Sequence, residues 1–181
     1  MKKLGLTIVL FASLVRADIA NENQSIFSKK QKLDVVDGVE VYETNYEMKS
    51  HKQFGAGLSV GGAAGLLALN GEINLDPAEA LVIGLGAGTG YGTFGLGWKH
   101  NYEANYFSPY TKVSYSKWFN SSTSSGSAAD SDILKRIFSD NELRSGKFDA
   151  DFIVGGAGVE YNQLEGDLAG VNIYGEVMMM A

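Results

Sequence analysis

Few residues of this chain combine the types and spacing that chemistry requires. The sequence has two histidines, His51 and His100, and no cysteine. A hydrolytic site built on a histidine also needs a nucleophile and an acidic partner, and the sequence offers only His100 with Glu103 or Ser108. A histidine at the end of a strand is the simpler interpretation, and no histidines or cysteines have metal-ligand spacing. We therefore expect no catalytic, metal or cofactor site.

A glycine-rich stretch at residues 81–98, LVIGLGAGTGYGTFGLGW, contains a formal match to a dinucleotide-binding motif. Gly90, Gly92 and Gly95 have the G-x-G-x-x-G spacing. That motif needs its glycines to end a strand and open a helix, whereas the residues that follow, FGLGWKHNY, alternate with period two. The stretch instead predicts two strands joined by a hairpin turn after Tyr91 and Gly92. The glycines predicted to line the inner face of the first strand are Gly84, Gly86, Gly88 and Gly90.

The same alternation recurs in seven segments along the chain. In each segment, apolar residues alternate with polar or small ones, which places the two kinds on opposite faces of a strand. Segments of about ten residues with this pattern are typical of a transmembrane barrel with lipid outside and a polar interior. Aromatic residues near the segment ends fit the interfacial girdles of such barrels. They are Tyr91, Trp98, Tyr102, Tyr106, Phe107, Trp118, Phe119 and Tyr161.

Charged residues collect on the face that the alternation assigns to the interior. The interior of an eight-stranded barrel is just wide enough for side chains to fill, and buried charges must pair. We therefore predict an interior charge network in which Lys112 pairs with Glu160 or, alternatively, with Glu176. A narrow polar path for small solutes is the other interpretation. The predicted network consists of Glu72, Lys99, Lys112, Glu160 and Glu176.

The first residues, MKKLGLTIVLFASLVRADIA, have the pattern of a secretory signal peptide. Two lysines precede an apolar run, and the predicted cleavage follows Ala17, with Ala20 as a second option. As a helix the run spans about 18 Å, too short for the ~30 Å hydrocarbon core of a bilayer. The predicted organisation is a signal peptide at 1–17, a periplasmic segment at 18–38 and a β-barrel domain at 39–181.

Two segments of the predicted barrel domain depart from the strand pattern. Bacterial barrels have an even number of strands, and residues 39–48, VEVYETNYEM, are the predicted eighth strand. The insert at 120–150 begins with a polar stretch and then predicts one short amphipathic helix, with Ser131 or Asp130 as its cap and Gly146 beyond its end. The predicted apolar face of this helix consists of Ile133, Leu134, Ile137 and Phe138.

The signal peptide, the glycine-rich hairpin and the closing segment FIVGGAGVEYNQLEGDLAGVNIYGEV together resemble small outer-membrane β-barrel proteins of Gram-negative bacteria, the OmpA- and OmpW-like class. The resemblance covers roughly residues 51–180 and is one of pattern. It implies an all-β fold, a single antiparallel up-and-down transmembrane β-barrel of about eight strands. It also implies location in the outer membrane, with outer-membrane lipid and the barrel insertion machinery as partners.

The expected function is structural, surface display or interaction, in a small porin-like barrel without catalysis. A narrow channel or a small-ligand-binding barrel is the first alternative. The second is a soluble periplasmic barrel of lipocalin type, which would place glycines on solvated strand faces, where they weaken a strand. The formal net charge of −6 argues against nucleic acid as a partner. The insert at 120–150 is interpreted as packing on the barrel rim, with contact to an unknown partner or a lid as alternatives.

Overall fold

The computed structural model describes residues 7–13, 34–36, 39–120, 134–145 and 149–181. The described residues form strands and three short helices. The strands are β1 (Thr7–Ser13), β2 (Asp34–Val36), β3 (Val39–Val41), β4 (Phe54–Val60), β5 (Leu67–Asn74), β6 (Glu79–Gly88), β7 (Tyr91–Asn101), β8 (Phe107–Asn120), β9 (Asp149–Asn162) and β10 (Asn172–Met180). The helices are α1 (Asn45–His51), α2 (Leu134–Ile137) and α3 (Asp140–Ser145).

Eight strands form one antiparallel sheet, in which β4 to β10 pair with their neighbours along the chain and β1 pairs with β10. Their order is β1-β10-β9-β8-β7-β6-β5-β4, and β4 to β10 correspond to the seven segments predicted from the alternation. The sheet is curled, so that its edge strands β1 and β4 lie beside each other. No hydrogen-bonded register joins β1 to β4 within the described part of the chain. The prediction of an all-β, up-and-down antiparallel architecture is confirmed.

The predicted eighth strand at residues 39–48 is wrong. Val39–Val41 forms β3, which pairs with β2 in a separate two-stranded sheet and not with the eight-stranded sheet, and Asn45–His51 forms helix α1. Thr44 caps this helix, because its hydroxyl accepts a hydrogen bond from the backbone N–H of Glu47 at 3.3 Å. Thr and Glu three residues apart are a helix-start signal. This signal outweighs the period-two alternation on which the strand prediction for residues 39–48 was based.

Strand β1 takes the eighth position in the sheet. It pairs with β10 in a continuous register from Thr7 opposite Met178 to Ser13 opposite Asn172. This strand lies within residues 1–17, the predicted signal peptide. Cleavage after Ala17 stays a prediction, and it would remove β1 from the mature chain. Of the predicted periplasmic segment 18–38, only residues 34–36 lie within the described residues.

The two faces of the sheet have opposite chemistry. On the outer face, Leu69 is 65% exposed and Phe107 is 67% exposed. On the inner face, Glu160 is 0% exposed and Lys99 is 5% exposed. Proteins in water usually show the reverse arrangement, with apolar residues buried and charged residues solvated. The apolar set of the sequence alternation therefore lies outside, and the polar and charged set lies inside.

The glycine-rich stretch forms the β6–β7 hairpin. Gly88 lies opposite Tyr91, so the turn consists of Thr89 and Gly90. Gly90 has a φ of 83°, a value that glycine adopts without steric cost in tight hairpin turns. The turn falls earlier than predicted. Consequently Tyr91 lies on the inner face, and Gly90 belongs to the turn instead of lining the interior.

The described part of the insert, residues 134–145, contains two short helices, not the single helix predicted. The break falls at Ser139, where the backbone N–H of Ser139 donates to the Glu142 carboxylate at 2.9 Å and the backbone N–H of Glu142 donates to the Ser139 hydroxyl at 3.4 Å. This reciprocal pair is a capping box, so α3 starts anew after Ser139. The predicted caps Asp130 and Ser131, the residue Ile133 and Gly146 lie outside the described residues.

Candidate functional site

Four charged side chains meet in the interior of the curled sheet. Lys99 of β7 lies between two carboxylates, with its Nζ 2.9 Å from Glu72 Oε2 and 2.8 Å from Glu160 Oε2. Lys49 of α1 reaches the same two residues, with its Nζ 3.0 Å from Glu72 Oε1 and 3.4 Å from Glu160 Oε2. A further hydrogen bond of 3.0 Å joins Lys49 to Asn101 Oδ1. Two ammonium groups thus face two carboxylates, and this balance makes their burial tolerable. We call these four residues the Lys49 cluster.

A second ion pair lies beside this cluster. Lys112 Nζ is 2.7 Å from Glu176 Oε2, and the same oxygen accepts a hydrogen bond of 2.9 Å from the Tyr110 hydroxyl. The ring of Tyr110 also lies under Lys99, whose Nζ is 4.7 Å from the ring centroid. Tyr110 therefore links the Lys112–Glu176 pair to the Lys49 cluster.

Strand register brings these side chains together. Lys99 and Lys112 are directly opposite on β7 and β8, and like charges in that arrangement repel unless carboxylates separate them. The carboxylates come from strands across the interior, β5, β9 and β10. Glycines make the approach possible, because a Cβ at Gly156 would lie 2.7 Å from Glu176 Oε1 and one at Gly158 would lie 2.6 Å from the Tyr110 hydroxyl.

All five residues of the predicted charge network lie on the inner face. The structure pairs Lys112 with Glu176, the second of the two partners considered, and it pairs Glu160 with Lys99. Sequence reasoning missed Lys49, because residues 39–48 were assigned to a strand that ends before it. The helix-start spacing of Thr44 and Glu47 is the signal that leads to α1 and hence to its buried lysine.

Helix α1 closes one end of the interior, which we call the α1 end and which also contains the loops 75–78, 102–106 and 163–171. Asn45 anchors the helix to the 102–106 loop, since its side chain donates to Tyr102 O at 3.1 Å and accepts from Ala104 N at 2.9 Å. The Tyr46 hydroxyl donates to Asn101 O at 2.7 Å. Burial, together with the nearby Glu103 carboxylate, raises the pKa of Tyr46. A buried apolar cluster completes this closure, namely Tyr42, Met48, Leu164 and Ala169.

The loop 61–66 folds inward at the opposite end, which we call the insert end because α2 and α3 lie there. The carbonyl oxygen of Ala63 accepts hydrogen bonds of 2.9 Å from Ser116 Oγ and from Trp118 Nε1. The carbonyl oxygen of Ala64 accepts a hydrogen bond of 2.6 Å from Thr93 Oγ1. A Cβ at Gly86 would overlap Ala64 O, so the bare glycine face makes room for this loop.

An aromatic and aliphatic cluster lies over the inward loop. The rings of Tyr91 and Trp118 stack with centroids 4.8 Å apart, and both pack against the fully buried Leu134 and Leu143 of the insert. Tyr91 and Trp118 are therefore interior residues, and their predicted place in an interfacial girdle is wrong. The other members of that set lie exposed or half-buried on the outside, namely Trp98, Tyr102, Tyr106, Phe107, Phe119 and Tyr161.

Two cavities remain between the closed ends. The larger has a volume of about 220 Å³ and is lined by charged residues that include Glu72, Lys99 and Glu176. The smaller has a volume of about 60 Å³ and lies toward the insert end. The residues that line both cavities are Asn70, Val82, Lys112 and Tyr174.

The residues considered for catalysis are not brought together. His100 Nδ1 lies 2.7 Å from Glu79 Oε1, whereas Ser108 is buried on the inner face, where its hydroxyl accepts a hydrogen bond of 2.8 Å from Asn162.

Within the described residues, no group of three or more His, Cys, Asp or Glu side chains is arranged to hold a metal ion. None of the described helices has the length and apolar character needed to cross a bilayer.

Comparisons with known proteins identify no relative of this chain. No protein-family model matches it, and no curated protein or solved structure is significantly similar to it. Its function is therefore inferred from its own geometry.

Proposed function

We propose that this protein is a small outer-membrane β-barrel with a plugged interior and a structural or surface-display role without catalysis. The observation that carries the proposal is the inverted distribution of side chains. Large apolar residues are exposed on every strand from β4 to β10, whereas Lys99 of β7, Glu160 of β9 and Glu176 of β10 are buried. Lipid around the outer face and polar side chains inside are the defining features of transmembrane barrels.

The outer face of the sheet exposes many large apolar side chains. Soluble monomers rarely expose contiguous apolar patches larger than about a few hundred Å². Here the exposed Leu69 and Leu85 and the half-buried Phe94 lie on neighbouring strands in adjacent register positions, with Leu85 opposite both of the others. Such a band is unfavourable in water and favourable against lipid tails. Inside a bilayer, only helices and closed sheets satisfy their backbone hydrogen bonds.

Aromatic residues support the same interpretation. At the α1 end, Tyr102, Tyr106 and Phe107 are exposed on the outside, and toward the insert end Phe119 is exposed as well. Aromatic rings at both edges of an apolar band are typical of proteins held in a bilayer.

The closed interior favours a structural role over conduction. Helix α1 covers one end, the inward loop 61–66 and the Tyr91–Trp118 stack cover the other, and side chains of an eight-stranded barrel fill most of its interior. We therefore expect no steady conductance when the purified protein is added to planar bilayers. The lipocalin-like alternative is disfavoured because its apolar residues would line the inside.

The location is tested by fractionation of a Gram-negative host that produces the full chain. We expect the protein in the outer-membrane fraction, with a gel mobility that changes on heating because a folded barrel resists the detergent at room temperature. Recovery of the folded protein in the soluble periplasmic fraction would contradict the proposal.

A matched pair of substitutions tests lipid contact directly. Leu69 of β5 and Leu168 of the 163–171 loop are 65% and 62% exposed, so in water Leu69→Arg and Leu168→Arg are both expected to be harmless. In a bilayer, Leu69→Arg costs up to about 2–4 kcal/mol of folding free energy, according to depth, and Leu168→Arg about 0–1 kcal/mol. The measurement is chemical denaturation of each variant folded into lipid vesicles. Equal stability of the two variants would reject lipid contact at Leu69.

A further inference from the structure

We propose that the larger interior cavity binds a small neutral molecule that carries an apolar body and one hydroxyl or amide group. The cavity has a volume of about 220 Å³. An apolar cavity of about 150 Å³ in another protein accommodates benzene, so a single six-membered ring with a polar substituent fits this space. The inference goes beyond the structural role proposed above and does not depend on where the protein is located.

The polar anchor of this site is the Lys112–Glu176 pair. An ammonium group has three hydrogen-bond donors. Lys49 and Lys99 each face two carboxylates, whereas Lys112 contacts one carboxylate and its side chain is 19% exposed. Because Lys112 lines both cavities, its remaining N–H groups are available to a molecule placed there.

Glu176 supplies an acceptor next to this donor. Its Oε2 atom accepts from Lys112 and Tyr110, while its Oε1 atom accepts no hydrogen bond from the described residues and is buried. A hydroxyl or a primary amide both accepts and donates. Such a group can accept from Lys112 and, once the Glu176 carboxylate rotates to turn Oε1 from Gly156 toward the cavity, donate to Glu176. Burying these polar atoms is less costly when a ligand satisfies them.

The charge balance of the interior selects a neutral ligand. The three interior lysines Lys49, Lys99 and Lys112 face three carboxylates, those of Glu72, Glu160 and Glu176. An anion or a cation would add an uncompensated charge in a region of low dielectric constant, which is unfavourable. A neutral polar group uses the donor and the acceptor without disturbing this balance.

The remaining walls accept an apolar body. Met48, Val82 and Val171 line the larger cavity, together with Gly55 and Gly57 of β4, which have no side chains. A Cβ at Gly55 would make ordinary van der Waals contact, with its nearest neighbour, Glu72 Cβ, at 3.6 Å. The packing of the sheet therefore does not require this glycine, and the space next to it remains accessible to a ligand.

The experiment measures binding of three probes of similar size to the full chain folded in detergent. Phenol is neutral and has a hydroxyl, toluene lacks the hydroxyl, and benzoate is an anion. Using ligand-observed NMR or calorimetry, we expect saturable binding of phenol and an affinity lower by about tenfold or more for toluene, which loses a hydrogen bond to a charged group. We expect a similar loss for benzoate, because its negative charge is uncompensated in the interior. No saturable phenol binding, or binding of benzoate as tight as that of phenol, would overturn the proposal.

Two variants distinguish binding of phenol in this cavity from its uptake by the detergent. Val82→Phe fills the junction of the two cavities, whereas Val113→Phe makes the same change at an outward position that is 62% exposed. We expect phenol binding to be lost in Val82→Phe and unchanged in Val113→Phe. If Val82→Phe does not fold, Gly55→Leu is the replacement test variant, because a leucine side chain at this position of β4 extends into the larger cavity. Phenol binding that survives filling of the cavity would assign it to the detergent or the outer surface and refute the site.

Discussion

The two ends of the interior are closed by different chemistry. At the α1 end, the plug inserts a buried ammonium, that of Lys49, between the carboxylates of Glu72 and Glu160. At the insert end, the plug consists of a loop held through its carbonyl oxygens and of the stacked rings of Tyr91 and Trp118 under aliphatic residues. One closure completes a set of charges, and the other buries apolar volume.

This difference predicts how each end responds to substitution. Removing one member of a buried ion cluster leaves its partners uncompensated, so the loss is large and a second substitution can reverse part of it. Removing apolar volume costs stability in proportion to the cavity left behind, and no distant substitution restores it. Four predictions test this contrast, from the largest expected effect to the smallest.

Lys49→Met tests the charged closure. The substitution leaves Lys99 alone to compensate two carboxylates, and we expect a loss of about 3–5 kcal/mol in the free energy of unfolding. Adding Glu160→Gln removes the excess negative charge and should recover part of that loss. The measurement is guanidinium denaturation of the protein folded in detergent. As a control, Lys52→Met removes a half-exposed ion pair with Glu40 at 2.8 Å and should cost about 0–1 kcal/mol. Equal losses for Lys49→Met and Lys52→Met would refute the special role of the buried lysine.

A double-mutant cycle tests the second ion pair. Lys112→Met and Glu176→Met should each cost about 3–5 kcal/mol, and the double variant should lose less than the sum of the two. The matched control is the cycle between Lys112 and Glu160, which form no ion pair with each other among the described residues and should be nearly additive. A coupling energy that is larger for Lys112 with Glu160 than for Lys112 with Glu176 would contradict the pairing in the structure.

Leu143→Ala tests the apolar closure. Leu143 is 1% exposed, and truncating a buried leucine costs about 2–5 kcal/mol. Because the site lies at the opposite end from Lys49, the effects of Leu143→Ala and Lys49→Met should add within about 0.5 kcal/mol. The control Ile137→Ala changes a residue of the same insert that is 39% exposed, and it should have a much smaller effect. A strongly non-additive double variant would show that the two ends are coupled.

Two glycines of the β6–β7 hairpin test the inward loop. A Cβ at Gly86 would overlap the carbonyl oxygen of Ala64, whereas a Cβ at Gly95 would have its nearest neighbour, Tyr115 O, at 3.7 Å. We expect Gly86→Ala to cost about 1–3 kcal/mol through overpacking. Gly95→Ala should be neutral or stabilise the protein by up to about 1 kcal/mol, since alanine has less entropy to lose on folding. Thermal unfolding of both variants measures the difference, and an equal tolerance at the two positions would mean that the loop does not occupy the interior.

Period-two alternation can be read for each strand separately, without knowledge of its partners. The sequence alone therefore determined the features that belong to single strands. It identified seven of the eight strands of the sheet, their apolar and polar faces, and the inward position of Glu72, Lys99, Lys112, Glu160 and Glu176. It also excluded a helix after the glycines of residues 81–98, because side chains that alternate between two faces require extended backbone. These conclusions need only the local geometry of one strand.

The tertiary structure decided the features that depend on contacts between distant residues. Pairing Lys112 with Glu176 instead of Glu160 depends on the curvature of the sheet across the interior, which no single strand encodes. Lys49 joins the charge network only because helix α1 docks on the end of the sheet, and the eighth position goes to β1 only because its backbone pairs with β10. Tyr91 and Trp118 are aromatic residues near strand ends, like those of a girdle. They lie inside because loop 61–66 and the insert cover them, and such coverage is a property of the assembled fold.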